Sequence, residues 1–305
     1  MRWLDAMPHP PLAIEISVDR LAAVRWTRTG SVESLAVEPL PAGAIVPSAV
    51  EPNLANIPTL RTAFASVCGR LRAKNEDVAM LLPDPVIRVL VQHFEEFPRS
   101  PEAALPMLRW KLKKSIPFEV DETLLSYMRQ SPREHGVDVV IALARQQVVR
   151  EYEALAESVG LRAGVILSSS LAAVALVEAH GMTLLARISG AALTTVIVRD
   201  GILCGYRCTD LPVPASQLTP QMLLEEIFPA AVFYQDTWHE GIQSVRISGL
   251  GGRLPEFVAP LENEFHCTVE SLLHTAVCNG RIPEDARPLA KSEQEGLVGW
   301  MLNRG

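Results

Sequence analysis

The residues best equipped for chemistry in this 305-residue chain lie in three short turns. The densest, Ser248-Gly249-Leu250-Gly251-Gly252, follows the apolar run Val245-Arg246-Ile247 and precedes Leu254-Pro255. Glycine lets backbone amides approach an anion without a Cβ in the way, so such a run can cradle phosphate. A tight strand-to-helix connection calls for the same residues, and both readings stay open. The other two turns, Ser17-Val18-Asp19-Arg20 and Ser189-Gly190-Ala191-Ala192, each separate a pair of apolar runs. Other catalytic patterns are missing: there is no GxxxxGKS/T, HExxH, paired CxxC or GxSxG. His239, His266 and His274 share one third of the chain, but their spacing makes a poor metal site.

Alternating strands and helices must position those turns. Leu12, Ile14 and Ile16, then Leu21, Ala23 and Val24, read as two strands around the first turn. Pro39 to Pro58 is loop-like, and Leu60, Phe64, Val67 and Leu71 predict a helix over 58–74. Val78 to Leu82 reads as a strand ending at Pro83-Asp84-Pro85. From Ile87 to about Gly136 charge is denser and apolar segments shorter. Ser100-Pro101 reads as an N-cap and first turn before a stripe of Leu105, Leu108 and Leu112, although Pro106 argues for a later start. The basic run Arg109 to Lys114 reads as a solvated face with Trp110 turned inward; an anionic membrane surface is the lesser reading.

Val137 to Ala144 predicts a strand covered on both faces, followed by a helix that ends at Gly160. Leu184 to Arg199 then repeats the opening strand–turn–strand theme. A further strand passes through Cys204, and helices follow around 222–236 and after Pro255. The repetition predicts a duplicated α/β architecture.

Composition narrows the function. The chain is 48% hydrophobic and 21% charged, as in globular proteins, and 28 Lys and Arg against 35 Asp and Glu give a net charge of −7. That balance argues against broad nucleic-acid binding. The best candidate for a membrane span, Ala163 to Val177, falls short of the roughly 20 apolar residues required. The N-terminal segment lacks the apolar core of a secretory signal, so a cytoplasmic location is expected. Five scattered cysteines are expected to be reduced thiols.

These residues resemble the actin-like ATPase superfamily and, within it, the PilM-like type IV pilus assembly proteins related to FtsA. Ile14-Glu15-Ile16-Ser17 resembles the first phosphate turn, Arg187-Ile188-Ser189-Gly190-Ala191 the second, and Ser248 to Gly252 the turn beside adenosine. Leu82-Pro83, Trp110-Lys111 and Ile116-Pro117-Phe118-Glu119 resemble the inserted subdomain, and 296–304 the closing helix. The resemblance implies an actin-like (ribonuclease H-like) two-lobed α/β fold. Residues 1–180 would form the first lobe, with an insert at about 86–136. Residues 181–305 would form the second, with a final helix at about 293–304 packing back on the first.

Nucleotide contacts would come from Ser17, Val18, Asp19, Ser189, Gly190, Ala191, Gly249, Gly251 and Gly252. The match is imperfect where it matters for metal. Glu15 replaces the first aspartate, Ser17 a glycine, Ala22 a frequent lysine and Arg187 the second aspartate. At about 4 Å and an effective dielectric near 20, each unit charge on Mg²⁺ would be repelled by about 4 kcal/mol. Arg187 is therefore expected to pair with Glu15. No catalytic residue, metal or obligatory cofactor is expected, with ATP at most a weak ligand.

The implied function is that of a cytoplasmic adaptor, peripheral to the inner membrane, in a pilus or related secretion machine. It would bind the N-terminal cytoplasmic peptide of a single-pass PilN-like protein, in a groove walled by Val78, Met80, Leu82 and Ile87. Membrane contact would come only through that partner, and self-association is allowed. The alternatives are an active, nucleotide-regulated actin-like ATPase that binds Mg-ATP and the cytoplasmic domain of a GspL-like type II secretion protein.

Overall fold

A computed structural model describes residues 8–27, 30–113, 116, 118–132, 136–178 and 180–303. Expectations at residues 1–7, Lys114, Pro117 and Arg304 lie outside the described residues.

Two five-stranded sheets repeat one plan. In the first lobe β1 (Leu12–Ile16), β2 (Arg20–Trp26) and β3 (Val32–Pro39) form an antiparallel meander, and β4 (Asp77–Leu82) follows helix α1 (Ile57–Arg70). With β8 (Arg162–Ser168), the order is β3-β2-β1-β4-β8, and β4 runs parallel to both neighbours. In the second lobe β9 (Met182–Ser189), β10 (Ala192–Arg199), β11 (Ile202–Asp210), β12 (Ser244–Ser248) and β13 (Thr268–Ser271) take the order β11-β10-β9-β12-β13, again with two parallel pairs. Helices α5 (Pro220–Trp238) and α6 (Leu254–Phe265) cover one side of this sheet, with Leu223, Ile227, Phe257 and Leu261 in its core. The near-continuous apolar runs of β1, β4, β9 and β10 are those of strands buried on both faces.

A third, antiparallel sheet has the order β5-β7-β6, from β5 (Arg88–Phe94), β6 (Thr123–Pro132) and β7 (Val137–Arg145). The insert is therefore longer than the sequence suggests, because β7 belongs to it. Both faces of β7 are covered, as expected, but by different partners. Val139, Ile141 and Leu143 pack with Ala104, Leu108 and Leu112 of α2 (Pro101–Leu112), whereas Val140 and Ala144 join the first lobe's core. An apolar run cannot announce which layers will sandwich it.

Helix α2 begins at Pro101 despite Pro106, which lies inside it at the cost of one intrahelical bond. Its buried stripe is Ala104, Leu108 and Leu112, one register away from Leu105. Leu108 and Leu112 already put Trp110 on the opposite side of the helix, where it is 81% exposed, correcting the expectation that it faces inward.

Helix α3 (Gln146–Glu157) lies against α1 and β8; α4 (Ser169–Ala173) follows β8 directly. After α7 (Leu272–Cys278) and α8 (Arg287–Lys291), α9 (Glu295–Leu302) returns to pack on α4 and β1. A side chain at Gly299 would place its Cβ 2.2 Å from the Ala172 carbonyl oxygen, so only glycine allows this approach. The cysteines are free thiols; burial, aided by nearby acidic groups, pushes Cys68 up to about 11 and Cys208 up to about 12. No helix among the described residues is long and apolar enough to cross a membrane.

Candidate functional site

The fold brings the three turns together at the cleft between lobes. The β1–β2 turn, the β9–β10 turn and the segment after β12 meet around a cavity of about 240 Å³. Ser17, Val18, Asp19, Ser189, Gly190 and Gly249 all line it. Gly190 has φ +62°, and a Cβ there would meet Val18 of the opposite turn at 2.8 Å. Gly249, at φ +87°, lies so near β9 that a Cβ would come 1.9 Å from the Ile188 carbonyl oxygen. Gly249 thus answers to backbone packing, and Gly190 to its positive φ and the Val18 side chain, whether or not a ligand is present. Gly249 and Gly251 also line an adjoining cavity of about 330 Å³, whose wall includes Leu254, Leu273, Val277, Arg287 and Lys291. Ala191 and Gly252 line neither.

Arg187 dominates the floor of the cleft. Its guanidinium, 6% exposed, donates from Nη2 to Glu15 Oε1 at 2.9 Å and from Nη1 to Ser170 Oγ at 3.2 Å. Asp84 Oδ2 stands 3.5 Å from Nη1, and Glu295 Oε2 stands 3.8 Å from Nη2. The pairing of Arg187 with Glu15 read from the charge inversion is present, within a wider cluster. Burial works against the Arg187 charge, yet Glu15, Asp84 and Glu295 outweigh it and hold the group above its ordinary value. Burial raises Glu295 above its ordinary value, against the opposing pull of Arg187.

Each carboxylate has further partners. Glu15 accepts from Ser169 Oγ and, at 3.1 Å, from the Leu297 amide in the first turn of α9, where helix amides favour an anion. Asp84 accepts from the Ser168, Ser170, Thr194 and Tyr206 hydroxyls and the Ser170 amide. Burial, then Asp84, drives Tyr206 well above its ordinary value, so it remains a donor. Ser248 Oγ donates to Glu295 at 2.8 Å. A cation entering here must displace a guanidinium already held by these anions.

Sequence reasoning missed Asp84, the serines of 168–170, Thr194, Tyr206 and Glu295. Two signals were available: a carboxylate between two prolines at the end of a buried strand, and three serines interrupting the apolar run 163–177. Their convergence was not legible, because Asp84 and Thr194 are 110 residues apart.

The expected groove wall needs correction. Val78, Met80 and Leu82 are 0% exposed on β4, which is paired on both edges by β1 and β8. They face the core and offer neither surface nor free strand edge. Ile87 fares differently: it lines a groove of about 310 Å³ with Leu124, Ala142, Val149 and Ile166, between the insert and the first lobe.

Two sheets of identical strand order, a cleft between them and an inserted small sheet define an actin-like ATPase fold. No family model matches the chain, and no curated protein matches it. Among solved structures, the chain is similar to a chain of the PilM–PilN type IV pilus biogenesis complex, with 17% identity and a TM-score of 0.73 over 97% of this chain and 98% of that one. It is also similar to a Bacteroides thetaiotaomicron protein with an actin-like ATPase fold and unknown function, with 10% identity and a TM-score of 0.57 over 93% and 96%. The cytoplasmic domain of EpsL, an inner-membrane component of the Vibrio cholerae type II secretion system, is 14% identical with a TM-score of 0.46 over 77% and 80%. The actin-like resemblance read from the turns, and the PilM likeness read from the inserted segment, are thus met in the fold.

Proposed function

We propose that this chain is a non-catalytic adaptor of the PilM kind, holding the N-terminal cytoplasmic tail of a PilN-like, single-pass inner-membrane protein in a pilus or related secretion machine. The observation that carries the reading is the buried Arg187–Glu15 pair, where an actin-like ATPase needs room for metal-bound phosphate. Two more buried carboxylates, Asp84 and Glu295, stand around that guanidinium and repel a phosphate. The nucleotide site is then a degenerate one whose charges hold the lobes together, with ATP at most a weak ligand of the adjoining cavity.

The tail is assigned to the groove beside Ile87. Its walls are apolar, Leu124 is 44% exposed there, and β6 and β8 flank it as edge strands of their sheets. An extended peptide gains main-chain bonds from such an edge while its apolar side chains enter the groove. In this reading the chain is cytoplasmic and reaches the inner membrane through the tail it holds.

Calorimetry of the whole chain tests both halves of the reading. The N-terminal segment of a PilN-like one-span protein from the same source is expected to bind, and Leu124→Glu to abolish that binding. Mg-ATP is expected to give little heat and no phosphate release. Tight Mg-ATP binding with turnover lost in Glu15→Ala, and no peptide binding, would reverse the assignment.

A further inference from the structure

The groove assigned to the tail carries one charge. Leu124 and Leu125 of β6, Val149 of α3 and Ile166 of β8 give it apolar walls, and Ser126 adds a neutral hydroxyl. Among the described residues that line it, Glu153 alone is charged. Glu153 follows Val149 by one turn of α3, so the two side chains share the helix face turned to the groove. The side chain is half-buried.

Its neighbours on α3 are occupied. Glu151 accepts from the Asn53 and Leu54 amides at 2.8 and 3.1 Å, and the Tyr152 hydroxyl donates to Asn53 Oδ1 at 3.0 Å. Glu153 forms no hydrogen bond or ion pair with any described residue. Two cations of the flanking elements are committed elsewhere. Arg145, just before α3, donates to the Val50 carbonyl at 2.6 Å and stands 3.5 Å from Glu122. Arg162, at the start of β8, holds Asp77 at 2.8 Å. Arg150 and Glu157, about one turn to either side of Glu153, are exposed and offset each other in charge. The groove therefore presents a single anion among apolar walls, not a charged patch.

A peptide lying over Glu153 strips water from its carboxylate, which costs free energy unless a cation takes the water's place. Apolar walls alone would accept many tails; the carboxylate disfavours those that bring only apolar or acidic groups to it. Cytoplasmic flanks of membrane-spanning segments are rich in Lys and Arg, so the complementary charge is at hand. We infer that Glu153 sets the specificity of the groove by pairing with a Lys or Arg of the bound tail. The inference rests on the adaptor reading and gives its partner a chemistry. The tail is an extended segment whose alternate side chains enter the groove, apolar ones against the walls and one cation against Glu153.

Calorimetry of the full chain with a synthetic N-terminal segment of the PilN-like protein from the same source tests the inference. Glu153→Gln is expected to weaken binding about tenfold, the worth of one hydrogen bond between charged groups. It should also flatten the dependence of affinity on salt. Its thermal midpoint should match the parent's, since Glu153 has no partner in the chain to lose. Replacing each Lys or Arg of the peptide by Ala in turn should find one position that weakens binding to the parent by a similar factor. The same replacement should cost little more against Glu153→Gln, and a double-mutant cycle reads that coupling. Glu153→Lys should lose the original peptide and recover one carrying Glu at that position. Equal affinity of the parent and Glu153→Gln, or losses that simply add at every cation, would overturn the inference and leave the adaptor reading standing. A parent chain that binds no such peptide overturns the adaptor reading itself, and this inference with it.

Discussion

At the scale of single residues, the chemistry of the cleft turns on Arg187. Removing one partner from a buried ion cluster leaves the others desolvated and unpaired. Arg187→Ala is therefore expected to cost about 3–5 kcal/mol in urea or guanidinium unfolding. Adding Glu15→Gln to Arg187→Met should recover part of that loss, because a buried charge leaves with its partner; a double-mutant cycle reads the coupling. Glu295 supplies a test by pH. Burial raises its pKa above the ordinary 4.5, so the native state holds this proton more tightly than the unfolded chain. That contribution is whole below 4.5 and is lost as pH rises through the raised native value. Glu295→Gln keeps an acceptor for Ser248 but cannot ionise, so its stability relative to the parent should grow as the pH is taken from below 4.5 into the neutral range, as followed by denaturant midpoints. An unchanged difference across that range would refute the shift.

At the scale of elements, legibility followed how local the information was. The paired turns and the repeated strand–turn–strand unit could be read because that signal lies within a dozen or so residues, whereas the third strand of the first meander, β3, was not read. The end of the insert could not, because β7 is apolar on both faces whichever layers cover it. The cleft was half legible: the inversion at Arg187 showed which charge had to be answered, while Asp84 and Glu295 arrive from elements far along the chain. Packing of α9 on α4 gives the prediction proper to this scale. Gly299→Ala forces a methyl group against the Ala172 carbonyl, an overpacking worth about 1–3 kcal/mol. The expected result is a lower thermal midpoint with earlier proteolysis of the C-terminal segment.

At the scale of the whole molecule, the lobes are joined by groups the chain itself supplies. Arg187, Thr194 and Tyr206 come from the second lobe, and Glu15 and Asp84 from the first. Where a nucleotide would bridge such a cleft, a built-in cation does so permanently. If the proposed reading holds, Mg-ATP is expected to leave both the thermal midpoint and the small-angle scattering profile nearly unchanged, since a ligand well below its Kd stabilises the folded state very little. The return of α9 has a consequence for how the protein is made. Glu15 waits for the Leu297 amide, 282 residues later. At about 5–20 residues per second, a ribosome takes roughly a quarter-minute to a minute to deliver it. Throughout that interval the nascent first lobe lacks its last layer, and the apolar side chains that α9 will cover are open to chaperones and to one another.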